Sequence, residues 1–210
     1  MKIEANPDFN ILENLKKYPK IPDYGREFAG GKGIAFEKYD GTNLAWFYTD
    51  LYKSWDSPKF RSGNTFYSNN LDFGKSYDLF NKIQPKLSKI MSKFNTDGCF
   101  FGEYLGPNSF AGNHIQGDSK SLIPIDLWIK GIGFIPPDEF VTLLTEVDIQ
   151  PPKIIYKGNL DGNFSEDLIN GKYNVNEGVV FKGGQRGSLW CCKLKTKKWV
   201  DKLLNSGGEL

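Results

Sequence analysis

GIAFEKYDGTNLAWF, residues 33–47, holds two apolar runs separated by a polar knot. Ile34, Ala35 and Phe36 come before the knot; Leu44, Ala45, Trp46 and Phe47 come after it. Short apolar and aromatic runs bounded by Gly, Asp and Asn read as strands. The stretch predicts strands over 33–39 and 43–48 joined by a tight turn at Gly41. Lys38 sits inside this pattern. A buried ammonium without a partner is costly, and a lysine in such a place tends to lose its proton more readily. Lys38 is therefore either a solvated lysine on the wet face of a strand or a nucleophile.

The chain around it has 210 residues, enough for one large domain or two small ones with a real core. Its net charge of +2 gives no bulk attraction for nucleic acid, although a local basic cluster remains compatible with it. No apolar run is long enough to span a bilayer, and MKIEANPDFN lacks the apolar centre of a signal peptide. The cysteines are Cys99, Cys191 and Cys192, an odd number with two adjacent. That usage argues against a disulfide framework and for a reducing compartment, the cytoplasm. One histidine, His114, and no Cys-x-x-Cys pair argue against a zinc site.

Further along, residues 7–18 suit a short polar helix, and TDLYKSWDSPKFRSGN (49–64) reads as a polar excursion. Tyr77, Phe80, Ile83, Leu87, Ile90, Met91 and Phe94 recur at helical spacing, with Pro85 expected to kink or split the helix. Residues 98–106 and 121–129 read as strands, the second an edge or bulged strand because of Pro124. Pro137 and Asp138 open a helix whose Phe140, Leu143, Leu144 and Val147 share a face. KIIYKG (153–158) is a short strand and SEDLIN (165–170) a single helical turn. EGVVFKGG and SLWCCKLK form two strands around a Gly-rich hairpin, and KKWVDKLL closes with a helix. Strands and helices mix without a β-α-β beat, which predicts an α+β fold of mainly antiparallel sheets.

Four polar clusters interrupt the apolar strands: Lys38 to Asn43, Phe101 to Glu103, Glu177 to Lys182, and Lys193 to Lys195. Alternate strand residues share a face, so Lys193 and Lys195 form a paired cationic clamp. A lysine attacks phosphorus only as the free amine, and its reference pKa is about 10.4. Neighbouring cations and partial burial push that value down, and the clamp would also hold an anionic phosphate. Glu103 suits a sugar hydroxyl, and Glu177 suits a hard divalent metal. Gly41 allows backbone to approach phosphates. Each residue has a plainer reading when taken singly. Lys38, Glu103 and Glu177 are then exposed strand residues, Lys193–Lys198 a solvated face, and Tyr39-Asp40-Gly41 a hairpin turn. Taken jointly and in order, the plain readings lose. Cys191 and Cys192 read as packing residues with one facing inward, and His114 as a loop residue.

In this order the clusters resemble the motifs of the covalent nucleotidyltransferases: DNA ligases, RNA ligases and capping enzymes. KYDGTN resembles the Lys-x-Asp-Gly motif I, FFGEYLG motif III, IPIDLW motif IIIa, EGVVFK motif IV and KLK motif V. RSG (61–63) resembles the small motif that follows motif I, and EKYDGTN looks most like the branch that seals nicked RNA. The resemblance spans residues 34–196 and implies a nucleotidyltransferase domain of twisted sheets flanked by helices, with the nucleotide cleft between them. It implies that Lys38 takes AMP from ATP and that Glu37 reads the adenine amino group. Arg61 and Glu103 would contact ribose or phosphate, and Asn43 would orient the reactive phosphate. Glu177 would support magnesium or manganese, and Lys182, Lys193 and Lys195 would bind the phosphates. An aromatic residue often precedes the motif IIIa aspartate in this family; here Ile125 precedes Asp126, so an aliphatic contact replaces a base stack.

The implied activity is an ATP-dependent ligase joining 5′-phosphate and 3′-hydroxyl RNA ends, nicked or single-stranded. Its rivals are a small DNA ligase, a GTP-using capping enzyme and a non-catalytic end-binding module. About fifteen residues follow Lys195, so the reading is one catalytic domain over 1–210 without an appended OB-fold or helical module. Nucleic-acid grip would then come from loops 49–63 and 106–120 or from a partner. The composition is compatible with an AT-rich viral genome.

Overall fold

Strand β1 (Gly31–Lys38) and strand β2 (Thr42–Thr49) form where the opening stretch predicts them, but they do not pair with each other. Residues 39–41 carry the chain from the middle of one sheet to the middle of another. The apparent hairpin signal is therefore a crossing, and Lys38 stands where the two sheets face each other. This computed structural model describes residues 18–25, 31–56, 59–60, 66–67, 75–105 and 120–205. The expected helix at 7–18 falls almost wholly outside the described residues, as do Arg61 and the loop bearing His114.

The first sheet runs in the order β11 (Trp190–Lys195), β10 (Gly178–Gly183), β1, β9 (Ile154–Leu160), with every pairing antiparallel. The second runs β3 (Ser54–Asp56), β2, β6 (Gly98–Leu105), β7 (Ser121–Ile129), β8 (Gly133–Phe134), also antiparallel throughout. A two-stranded ribbon of β4 (Lys59–Phe60) and β5 (Phe66–Tyr67) accompanies them. The α+β expectation holds. Within the polar 49–64 excursion, β3 extends the second sheet; Trp55 packs on Tyr48 and donates to the Ser88 hydroxyl.

Strand β2 is buried on both faces. Leu44, Trp46 and Tyr48 face one core; Ala45 and Phe47 face another. This is the period of two that places alternate residues on opposite sides. The larger core is closed by α1 (Lys75–Met91) and α2 (Pro137–Glu146), which contribute Phe80, Leu87, Ile90, Phe140 and Leu144. Trp46 stacks on Phe80 at 4.6 Å and an interplanar angle of 3°. Full burial of side chains of this size stabilises by about 1.5–3 kcal/mol each, and Phe100→Ala at the centre would cost about 3–5 kcal/mol. Of the kink or split expected at Pro85, the split does not occur: helix α1 runs through it as one element. Buried residues on both sides of Pro85 share one core, and that packing outweighs the missing amide donor.

Helix α3 (Gly162–Ile169) is longer than the single turn expected, because the Asp161 carboxylate accepts from Phe164 N at 2.9 Å and caps its start. Phe164 and Leu168 pack beneath the first sheet with Phe181 and Leu194. Helix α4 (Lys197–Asn205) closes the described chain. No helix among the described residues is long and apolar enough to cross a membrane.

Candidate active site

Between the two sheets lies a cleft of about 700 Å³. Glu37 and Lys38 enter it from β1, Asn43 from β2, Glu103 from β6 and Ile125 from β7. Lys182, Lys193 and Lys195 enter from β10 and β11, and Glu177 from the residue before β10. Every sequence-predicted site residue that the structure describes lines this one cleft. Its size suits a small-molecule ligand.

The Lys38 amine lies 2.7 Å from Glu177 Oε1, with the two side chains 23% and 4% exposed. Beside the cations expected around Lys38, its ion-pair partner is the Glu177 carboxylate. Gly178, next to Glu177, lies between two strands. It pairs with Lys38 on one side and Lys195 on the other, and a Cβ there would fall 2.0 Å from the Leu194 carbonyl oxygen. Burial holds the Glu177 carboxyl above its usual range, against the pull of Lys38. Its second oxygen, Oε2, is buried and lacks a hydrogen-bond partner among the described residues.

Glu103 lies on the opposite wall. Its Oε1 accepts from the Gly41 amide at 3.2 Å, and its carboxyl is pushed up to about 7 by burial, against Lys38 and an Asn43 hydrogen bond. At Gly41 a Cβ would fall 2.5 Å from the Tyr104 carbonyl oxygen. Its missing side chain lets residues 39–41 lie tightly against β6.

The lysines differ in availability. Lys182 donates to Asp126 Oδ2 at 2.6 Å and to the Ile125 carbonyl at 2.7 Å, which holds its ammonium away from the free posture expected for a phosphate ligand. The register of β6 and β7 shifts between Phe101 and Gly102, leaving Ile125 as the extra residue of a bulge with its carbonyl turned to Lys182. Lys193 is 3.5 Å from the exposed Asp23 carboxylate. Lys195 has no ion pair among the described residues, and its amine lies 4.3 Å from the Trp199 ring centroid. Burial holds the Lys195 ammonium below the ordinary lysine value; Lys193 and Lys38 add to this and Glu177 opposes it. Glu37 faces Lys153 at 3.3 Å.

Several residues in or beside the cleft were not singled out from the sequence. Tyr18 donates to Asp126 Oδ2 and packs on Phe101 and Phe134. Lys153 pairs with Glu37 and donates its amide to the Tyr39 hydroxyl at 3.1 Å. Trp199 and Leu203 of α4 form another part of the wall. Asp126 was visible as a carboxylate inside an apolar strand, a placement that calls for a buried cation. Tyr18 and Lys153 are joined to their partners by tertiary packing alone.

A divalent cation fits this donor set in one place. Glu177 Oε2 is a buried hard oxygen with a vacant acceptor site. No group of three or more His, Cys, Asp or Glu residues able to hold a metal occurs among the described residues, so nucleotide phosphates and water would supply most ligands.

This arrangement of two antiparallel sheets around a cleft is similar in fold to solved polynucleotide ligases. Among solved structures, an unliganded variant of Naegleria gruberi RNA ligase superposes with a TM-score of 0.63 at 15% identity, over 90% of this chain and 59% of that one. A variant of the same enzyme with ATP and manganese gives 0.62 at 15% identity, over 88% and 59% of the two chains. A putative ATP-dependent DNA ligase from Aquifex aeolicus gives 0.58 at 19% identity, over 87% and 50%. The chain thus spans between half and three-fifths of the length of these structures. No family model and no curated protein matches the sequence.

Proposed function

We propose that this chain carries the adenylyl-transfer chemistry of an ATP-dependent RNA ligase. The observation that supports the reading is the position of Lys38, 2.7 Å from a buried glutamate in a cleft also lined by Glu103, Lys193 and Lys195. Glu177, with its basicity raised by burial, takes the ammonium proton at Oε1. Lys38 Nζ then forms a bond to the α-phosphorus of ATP while the bond to the pyrophosphate oxygen breaks; pyrophosphate leaves with that electron pair, and the nitrogen releases its second proton to solvent. Lys195 and Lys193 stabilise the charge that develops on the phosphate oxygens.

The product is a lysyl-AMP phosphoramide. A 5′-phosphate oxygen of a nucleic-acid end attacks the adenylyl phosphorus, the N–P bond breaks, and the amine regains a proton. A 3′-hydroxyl then attacks the activated 5′-phosphate and AMP departs. A bound magnesium or manganese ion at Glu177 would supply charge neutralisation on the phosphates. Glu37 and Asn43 line the same cleft and are the proposed contacts to base and reactive phosphate, with Ile125 as the aliphatic surface under the base.

Intact mass measurement after incubation with ATP and magnesium tests the reading. A gain of one adenylyl group, lost in Lys38→Ala, is expected; no gain in the parent protein would mean a non-catalytic module. A DNA-sealing reading is favoured by the likeness to the Aquifex aeolicus ligase. Sealing of nicks with ribose or deoxyribose at the 3′-hydroxyl separates the two. The proposed compartment is the cytoplasm, since all three cysteines are free.

A further inference from the structure

Helix α4 divides two concave surfaces. Trp199 and Leu203, four residues apart, face the catalytic cleft. Lys197, Lys198, Asp201, Lys202 and Asn205 face a second groove of about 1,070 Å³, whose far wall is residues 169–175. Spacings of one, four and five residues put the lysines on one helix face, away from the Trp199–Leu203 face. Thr196 anchors the helix: its hydroxyl donates to the Asn176 carbonyl and accepts from Trp199 N, and its amide donates to the Glu177 carbonyl. The same short segment therefore fixes Glu177 in the cleft and the lysine face outside it.

We infer that this second groove binds the phosphodiester backbone of the nucleic acid whose end enters the cleft. The inference rests on the ligase reading. Lys197, Lys198 and Lys202 are exposed and have no ion pair among the described residues, whereas the fourth lysine of the groove, Lys172, is paired with Asp167. Three unpaired cations against Asp201 leave the helix side of the groove net positive in a chain whose total charge is only +2. Asn170, Asn174 and Asn205 add amides able to donate to phosphate oxygens, and Tyr173 offers a ring. A polar, cation-lined groove of this kind suits a polyanion rather than an apolar protein surface. It adjoins the cleft through one helix, so a strand lying in it can present its end at Lys38.

The test is a Lys197→Glu, Lys198→Glu, Lys202→Glu variant of the full chain, probed with 5′-phosphorylated RNA and DNA oligonucleotides. Adenylylation by ATP alone is expected to match the parent, which also shows that the variant folds. Oligonucleotide affinity should fall at least tenfold at low salt. The dependence of log affinity on log salt should become shallower by about 2 for single strands, reflecting three lost phosphate contacts. Equal loss for RNA and DNA marks a backbone contact; loss for RNA alone marks one that also reads the 2′-hydroxyl, and either supports the groove. Unchanged affinity and salt slope would overturn it. Failure of the parent itself to form lysyl-AMP would instead overturn the ligase reading.

Discussion

Lys38 and Glu177 meet at 2.7 Å where β1 pairs with the start of β10, beside Gly178, whose lack of a side chain lets β11 lie close on the other flank. In the proposed reading, Lys38 would be the nucleophile and Glu177 its base. In that reading the amine's reactivity would depend on this carboxylate as well as on the neighbouring lysines. Gly178→Ala would place a methyl 2.0 Å from the Leu194 carbonyl oxygen, forcing β10 and β11 apart. The expected outcome is a loss of about 1–3 kcal/mol in denaturant unfolding and a larger proportional fall in lysine labelling. Labelling at the parental rate would show that the pair need not be held this closely.

Glu103 makes stability depend on pH in a defined direction. Its carboxyl is raised from 4.5 to about 7, so the folded state holds this proton more tightly than the unfolded chain does. Its favourable contribution is complete below about pH 4.5 and is lost as pH rises through about 7. Glu103→Gln removes the titration while retaining an acceptor for Gly41 N. Relative to the parent, the variant should gain up to about 3 kcal/mol between pH 4.5 and 7 and nothing more above it. Unfolding curves measured at several pH values check this, and parallel stabilities across the window would contradict it.

Lys182 and Asp126 form a half-hidden ion pair, each side chain 11% exposed, with Tyr18 completing the carboxylate. Asp126→Ala leaves the ammonium with only the Ile125 carbonyl and should cost about 3–5 kcal/mol. Lys182→Met strands the carboxylate in turn. The double variant should be less destabilised than the sum of the two single ones, since neither charge is then left alone. Additive losses in urea unfolding would show that the pair is not a unit.

The Glu37–Lys153 contact is a different case. Lys153 is 53% exposed and 3.3 Å from the carboxylate, so Lys153→Ala should change stability by less than about 1 kcal/mol. If Glu37 reads the base, the same variant frees its carboxylate and changes the KM for ATP. An unchanged KM would remove Glu37 from base recognition.

Local patterning carried much of this structure. The apolar run from Leu44 to Phe47 read as a strand, and the structure buries both of its faces. The spacing of Lys193 and Lys195 placed both in the cleft, and the motif order brought Lys38, Glu103 and Glu177 together. What local pattern could not carry was sheet membership. GIAFEKYDGTNLAWF has the composition of a hairpin, yet its two strands enter different sheets because β1 finds partners at 154–160 and 178–183 instead. The Ile125 bulge, the Tyr18–Asp126 bond and the Lys153–Glu37 pair depend likewise on registers set by distant chain. Helix α1 passed through Pro85 because tertiary burial, which no local propensity contains, holds it on both sides.

The most direct test of Lys38 as nucleophile is tandem mass spectrometry of the protein after exposure to ATP and magnesium, with the adenylyl group located by residue. The account predicts a single modified site at Lys38, released by acid as expected of a P–N bond and retained in alkali. An adenylyl group on any other residue, or an acid-stable one, would contradict it.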